Sequence, residues 1–473
     1  MFGSASHDRR VRALTGEPPA GSYDVAVIGG GVVGCAITRR LALGGLRSVL
    51  LECGPDILAG ASKANSAILH TGFDAPPGSL ELACMREGRA EYLAIRERLG
   101  LPLLETGAVV VAWNEADLAR LDGIEAQARA NGIDDVRRLD LGELLAREPG
   151  LAAGCLGGLL VPGEHVIDPW SAPLAYLRQA LEHGATALFD AEVTGGGFDG
   201  VAWTLKTAAG PVIARQVVNC AGLSGDRIEE RLLGAAAMQI RPRKGQFVVF
   251  DKAAARLLRT IILPVPSERT KGVVLARTIF GNLLVGPTAE EQEDRDHATV
   301  EHTTLAALIA RAVEMVPGLA DMPVTATYAG LRPATERKEY RLRHEPGRRW
   351  LTVGGIRSTG LTAALGLAAH VARLLGIEPV EPRVWPRLPN LAEHCERDWQ
   401  QPGHDGIVCH CELVTRREIE VALAGPLPAR DLGGLKRRTR AGMGRCQGFY
   451  CGAELARLTA GRFAVPLASP GHG

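Results

Sequence analysis

No apolar run in the 473 residues approaches the roughly eighteen needed to cross a bilayer as a helix. The first 22 residues hold Arg9, Arg10, Arg12, Pro18 and Pro19 but no apolar h-region, so they read as a flexible tail and not as a secretory signal. Charge of one sign is missing too. The formal net charge is +1 and charged residues make up 23%, which excludes a global field for nucleic acid or a membrane surface. Cysteine is too sparse for a disulfide scaffold. Of ten, six (Cys35, Cys53, Cys84, Cys155, Cys220, Cys395) are scattered in apolar or mixed contexts and four cluster near the end. A reducing cytoplasm is the simplest compartment. The chain is long enough for two or three domains with substantial cores.

The most informative stretch is Tyr23 to Glu52, YDVAVIGGGVVGCAITRRLALGGLRSVLLE. Val25 to Ile28 form a short apolar run, as in a central parallel strand covered on both faces. Gly29, Gly31 and Gly34 then supply G-x-G-x-x-G: a tight turn, a close approach to a pyrophosphate, and close helix–strand packing. The phosphates would sit at the N-terminus of a helix from about Val32 to Gly44. Arg47 to Glu52 is a second strand, and Glu52 ends it about twenty residues on, where a ribose hydroxyl needs a carboxylate. A glycine pattern alone is weak evidence; here every neighbouring part falls in order. The motif predicts a dinucleotide site without separating FAD from NAD.

Downstream, Ala61 to Gly72 is rich in small and polar residues and places Ser62, Asn65, Ser66 and His70 on one loop. A lone histidine is commonly a satisfied buried residue, and its place beside the cofactor motif favours a functional one. Leu82 to Leu99 and Glu115 to Asn131 read as helices and Glu105 to Trp113 as a strand, all surrounding structure without chemistry. From Gly157 come a strand, an Asp-Pro turn with Asp168 as a helix cap, and a helix. A hairpin and a buried strand ending at Asn219-Cys220-Ala221-Gly222 follow, with Cys220 read as packing. Met238 to Pro287 alternates like an antiparallel sheet carrying Arg241, Arg243, Lys244 and Lys271. Leu351 to Leu375 repeats the strand–glycine–helix pattern through Gly354-Gly355, and Pro379 to Pro389 reads as a linker.

YDVAVIGGGVVG followed by GASKANSAILHTGFDAPPGSLELAC resembles the FAD-dependent oxidoreductases of the D-amino-acid oxidase superfamily, in the branch of glycerol-3-phosphate and L-2-hydroxyglutarate dehydrogenases. The resemblance implies that Asn65 to Gly72, matching N-S-G-x-x-H-x-G, lines the flavin with His70 facing substrate. It departs at Ala67, where glycine is usual, and a slight backbone adjustment is expected. It also implies that Val193 touches the adenine side through its backbone and that Ala221 and Gly222 lie against FAD. Gly355, Ser358, Gly360, Leu361 and Thr362 would present a helix N-terminus to the flavin's pyrimidine end, where partial positive charge stabilises an anion. Thr359 stands where the family commonly has proline, which leaves the turn geometry open. Arg332, in Y-A-G-L-R-P, matches the arginine that binds the substrate's phosphate or carboxylate, for which a planar fork is suited. Lys271 is a second candidate anion ligand. Pro76 to Leu80 leans toward the hydroxy-acid branch.

Cys409-His-Cys411 and Cys446-x₄-Cys451 form a four-thiol metal pattern suited to iron–sulfur or zinc. The spacing is neither that of most zinc ribbons nor of plant ferredoxins. It resembles the [2Fe–2S] domain of bacterioferritin-associated ferredoxin, with GMGRCQGFYC close to the version fused to anaerobic glycerol-3-phosphate dehydrogenase large subunits; zinc is the competitor. Lys436, Arg437, Arg438, Arg440 and Arg445 would stabilise an anionic cluster, dock an acidic electron-transfer partner, or form a solvated face.

The expectation is an α/β protein. A Rossmann-like FAD-binding domain (about 23–100, 155–235 and 325–378) joins an antiparallel-sheet substrate domain (mainly 236–324), after a tail at 1–22. A linker (379–403) leads to a small helical [2Fe–2S] domain (404–460). The reaction would be oxidation of a small anionic secondary alcohol, sn-glycerol 3-phosphate first and L-2-hydroxyglutarate or another 2-hydroxy acid second. Electrons would leave through the cluster to an acceptor protein or a quinone-linked membrane subunit. The chain would be cytoplasmic, or peripheral at the inner membrane through a partner, with no transmembrane segment and no nucleic acid. A reading of another class makes it an electron-transfer subunit of a multi-subunit amine or opine dehydrogenase; His70 and Arg332 argue against that.

Overall fold

The computed structural model describes residues 21–266, 272–378 and 380–468. Lys271, and all but the last two residues of the expected tail, lie outside them.

Strand β1 (Tyr23–Ile28) runs parallel to β2 (Ser48–Leu51) on one side and to Gly210–Asn219 on the other, with Val27 opposite both Leu50 and Val218. Residues 25–28, β2 and residues 214–219 are buried on both faces where they pair, as a parallel sheet with covered faces requires. Helix α1 (Val32–Leu43) packs back on this sheet beside Ser171–Glu182 and Gly360–Leu374. Two glycines make the turn possible. Gly29 has φ +105°, and a Cβ there would lie 2.6 Å from the carbonyl oxygen of Cys220. At Gly34 a Cβ would lie 1.9 Å from the Gly29 carbonyl oxygen, so only glycine permits this approach of helix to turn. The sheet has eight strands, ordered Val193–Phe198, Trp203–Thr207, Gly210–Asn219, β1, β2, Thr186–Leu188, with Trp350–Gly354 beside Gly210–Asn219 and Arg341–Glu345 outside it.

A second, nine-stranded sheet is built on one long antiparallel pair, Ile240–Phe250 against Val324–Thr335, which puts Arg243 opposite Arg332. It extends beyond the segment predicted for the substrate domain. Ala108–Ala112, Gly157–Val161 and Arg137–Leu139 complete it, with Ala108–Ala112 parallel to Ile261–Pro264. Val109 and Val111 face one apolar core and Val110 another. An apolar run buried on both faces carries no period-2 signal to name its sheet.

A third, three-stranded sheet joins Ile68–Leu69, His165–Ile167 and Leu103–Leu104. Its antiparallel register sets Leu69 opposite His165, so His70 and Glu164 are the next residues across.

The segment read as a linker does not leave the core free. Leu391 and Ala392 are buried against the second sheet, the Leu388 N–H donates to the Leu99 carbonyl, and Arg98 lies 3.7 Å over the Trp385 ring. Its prolines bar sheet pairing while its apolar side chains anchor it. Beyond it, the short strands Ile407–Cys409 and Val414–Thr415 and the helices Arg416–Ala422, Leu432–Thr439 and Gly452–Thr459 enclose a small core of their own. No described helix is long and apolar enough to cross a membrane.

Candidate active site and cysteine cluster

A cavity of about 760 Å³ opens where the carboxyl ends of β1 and Gly210–Asn219 meet the second sheet, the usual place for a ligand on an open α/β sheet. Gly29, Gly31, Glu52, Ser62, Asn65, Ser66, Val193, Ala221, Gly222, Arg332, Gly355, Ser358, Gly360 and Leu361 all line it. Two helix N-termini point to it: α1, whose cap Gly31 offers no side-chain acceptor, and Gly360–Leu374, capped by Thr359 without a side-chain bond. Neither helix has an acid in its first turn. Free N–H groups and positive helix ends therefore remain for an anion.

Glu52 is buried. Its Oε2 accepts from the Gly30 N–H at 2.6 Å and its Oε1 from the Gly54 N–H at 2.8 Å, which fixes the carboxylate at the cavity edge. Ser62 Oγ accepts from the Val32 N–H at 3.0 Å. Asn65 Oδ1 accepts from the Ala67 N–H at 2.7 Å and its Nδ2 donates to the Ser62 carbonyl. Ala67 has φ +61°, so the backbone keeps a left-handed turn, and alanine bears the strain instead of the turn adjusting. Thr359 does not need the family's proline. Its hydroxyl donates to Glu81 Oε1 at 2.6 Å and pairs with the Tyr340 hydroxyl at 2.7 Å.

Three predicted residues do other work or sit elsewhere. Gly34 lies behind the turn, where it makes room for packing. Thr362 is buried off the cavity; its hydroxyl accepts from the His70 N–H at 3.0 Å and donates to the Ile68 carbonyl, tying the His70 strand to the helix. His70 is likewise absent from the cavity lining. Its side chain is 18% exposed and its Nδ1 lies 2.8 Å from Glu164 Oε2. Glu164 is fully buried and also accepts from the Thr71 N–H and hydroxyl at 2.5 and 2.8 Å. A carboxylate that only accepts obliges Nδ1 to carry a proton, so that in the neutral ring Nε2 is the nitrogen with the lone pair. Glu164 was not foreseen. Only its position in the turn Pro162-Gly-Glu-His165, between two strands, hinted at a fixed carboxylate.

Arg332 is held by its own sheet, Nη2 donating to the carbonyls of Thr288 (2.6 Å) and Lys244 (3.1 Å) and Nε to that of Arg243 (3.3 Å). Among the described residues no carboxylate lies within 4 Å of it. Burial, then the charges of Arg243 and Arg357, press its pKa down to about 10. A half-buried guanidinium crowded by cations on a cavity wall is suited to an oxyanion, which would relieve both penalties. Arg357, on the same wall, donates to the Lys338 carbonyl and adds to the field.

The four cysteines share one neighbourhood: Cys446 and Cys409 act on the Cys411 thiol, and Cys409 and Cys446 on the Cys451 thiol. Among the described residues no three His, Cys, Asp or Glu side chains are grouped to hold a single metal ion. Backbone N–H groups of Tyr450, Gly448 and Phe449 press the Cys446 thiol's pKa down, and the Gly442 N–H lies 3.5 Å from Cys409 Sγ. Thiols with amide donors suit an anionic cluster. The basic residues around them turn inward. Arg438 grips Asp56 at 2.8 and 3.0 Å, Arg440 bonds Glu412 at 2.8 Å and Arg437 is buried; only Arg445 is largely exposed, and it reaches Asp251 at 2.9 Å. Most of them hold the cysteine domain in place and are not a free docking face.

Residues 24–374 match the family model for FAD-dependent oxidoreductases. The chain belongs to that family. Residues 407–460 match the BFD-like [2Fe–2S] binding domain. A glycerol 3-phosphate dehydrogenase of Caloramator mitchellensis is 31% identical, over 94% of this chain and 95% of that one. One of the subunits of the anaerobic glycerol-3-phosphate dehydrogenase of Escherichia coli is 28% identical, over 92% and 88%. Among solved structures, the dithionite-reduced L-α-glycerophosphate oxidase of Mycoplasma pneumoniae with FAD bound superposes with a TM-score of 0.73 at 27% identity, over 78% of this chain and 99% of that one. This FAD-dependent oxidoreductase is therefore an enzyme with FAD and a [2Fe–2S] cluster as cofactors, and zinc is set aside.

Proposed function

We propose that the protein oxidises sn-glycerol 3-phosphate to dihydroxyacetone phosphate and passes the electrons to a partner subunit. FAD would occupy the large cavity and the cluster the four thiols. When bound, FAD supplies the hydride acceptor and the cluster a one-electron exit. His70 takes the hydroxyl proton at Nε2 while Glu164 holds Nδ1–H and steadies the imidazolium. Arg332, with Lys271 as a second candidate, binds the phosphate and so orients the reacting carbon. The carrying observation is Arg332, half-buried on the cavity wall and, among the described residues, without a carboxylate partner. Similarity over almost the whole length to glycerol 3-phosphate dehydrogenases, cysteine domain included, selects phosphate over the carboxylate of a 2-hydroxy acid. An anchor of the protein at a membrane would be supplied by the partner.

The test is turnover of the purified chain with an artificial electron acceptor. A kcat/KM for sn-glycerol 3-phosphate well above that for L-2-hydroxyglutarate supports the reading; the reverse order transfers the same residues to the hydroxy acid. No turnover with either would favour an electron-transfer subunit.

A further inference from the structure

The cofactor cavity and the cysteine cluster are joined by a continuous line of hydrogen bonds and ring contacts. Lys63 lines the cavity, and its carbonyl accepts from the Trp170 indole N–H at 3.3 Å; Pro169, beside Trp170, lines the cavity as well. Trp170 stacks on Phe280 with ring centroids 5.4 Å apart and planes 13° from parallel. The Arg440 guanidinium carbon lies 4.0 Å from the centroid of the Phe280 ring, and both residues are buried. Arg440 then reaches the cluster twice. Its Nε donates to Glu412, next to Cys411, and two residues on, the Gly442 N–H meets Cys409 Sγ. Arg440 stands at φ +67° as the left-handed residue that ends helix Leu432–Thr439, its N–H donating to the Lys436 carbonyl. Other contacts of the cysteine loops with the second sheet and the turn after it run through the exposed side chains of Gln447, to the Thr325 carbonyl, and Arg445, to Asp251, and through Glu412 to Lys252 at 3.9 Å.

We infer that Trp170, Phe280 and Arg440 are positioning residues for electron transfer, forming the packed bridge between flavin and cluster. The inference rests on the cofactor placement proposed above. Alcohol oxidation leaves two electrons on the flavin. With FAD and the cluster bound, the electrons would cross one at a time, each reducing the cluster by one electron, and the two protons would go to solvent. A one-electron acceptor on the partner then reoxidises the cluster. The side chains are not themselves oxidised. They fill the gap with bonded and touching atoms where a void would attenuate the coupling.

The experiment uses the full holoprotein. Flavin is reduced by a light pulse with EDTA, so no substrate need be known, and cluster reduction is timed by freeze-quench electron paramagnetic resonance. Trp170→Leu and Phe280→Leu each open a gap in the bridge and should slow cluster reduction roughly tenfold. Trp170→Phe, which keeps a ring in the stack, should stay near the parent rate, with FAD content and the cluster's midpoint potential unchanged throughout. If Trp170→Leu does not fold, Phe280→Leu carries the test alone. Parent-like rates in the leucine variants would overturn the bridge and leave the contact of Gln447 with Thr325 as the route. Slowing accompanied by FAD loss or a shifted potential would overturn it too, showing a structural role only. A parent protein without a cluster signal would refute the cofactor placement itself.

Discussion

The imidazole Nδ1 of His70 lies 2.8 Å from Oε2 of Glu164, a residue 94 positions away in the chain. The two face each other because a short antiparallel pairing sets Leu69 against His165, and Thr71 holds the carboxylate from the other side. The pair explains how a half-buried histidine keeps one tautomer.

Replacing His70 with alanine should lower kcat/KM by about 10²- to 10⁴-fold, the usual worth of a positioned base. Glu164→Gln should cost less but at least about tenfold, since an amide can donate to Nδ1 and favour the wrong tautomer. Steady-state kinetics on both variants, with FAD content measured, checks the order.

Arg332→Lys keeps the charge but loses the planar group that three backbone carbonyls hold with Nη1 left for the substrate. With charge-assisted hydrogen bonds worth about 1.5–3 kcal/mol, KM for the phosphate substrate should rise about 10- to 100-fold while kcat changes little. A fall in kcat with KM unchanged would place Arg332 outside the substrate's anion site.

Ala67 holds φ +61°. Ala67→Gly should relieve about 1 kcal/mol of left-handed strain and raise the thermal unfolding midpoint without altering kinetics.

Asp56 and Arg438 have side chains only 1% and 8% exposed, and their ion pair ties the loop after β2 to the cysteine domain. Asp56→Ala leaves a buried, unpaired guanidinium, which costs about 3–5 kcal/mol. Limited proteolysis of this variant should release the C-terminal domain sooner than from the parent.

Reading the sequence located what is local in the chain. The strand, glycine turn, helix and Glu52 lie within thirty residues, and each part's chemistry is visible in its residue type. The cysteine-rich domain is equally legible because the spacing of its cysteines is written in the chain. What was hidden depends on long-range register or on packing. Glu164 is an unremarked acid until the small sheet pairs it with His70. Arg438 and Arg440 read as part of a charged face, yet their partners, Asp56 and Glu412, come from other elements. Ala108–Ala112 joins the substrate sheet through Ile261–Pro264, about 150 residues away, and no period in either strand announces the pairing.

The most direct test of the central claim is an anaerobic titration of the purified protein with sn-glycerol 3-phosphate. Flavin absorbance and the cluster's paramagnetic signal are followed together, against assayed iron and acid-labile sulfide. The account predicts that substrate bleaches the flavin and raises the mixed-valence cluster signal, with iron and sulfide present in equal amounts. A flavin that stays oxidised under excess sn-glycerol 3-phosphate, in protein that dithionite reduces normally, would contradict it.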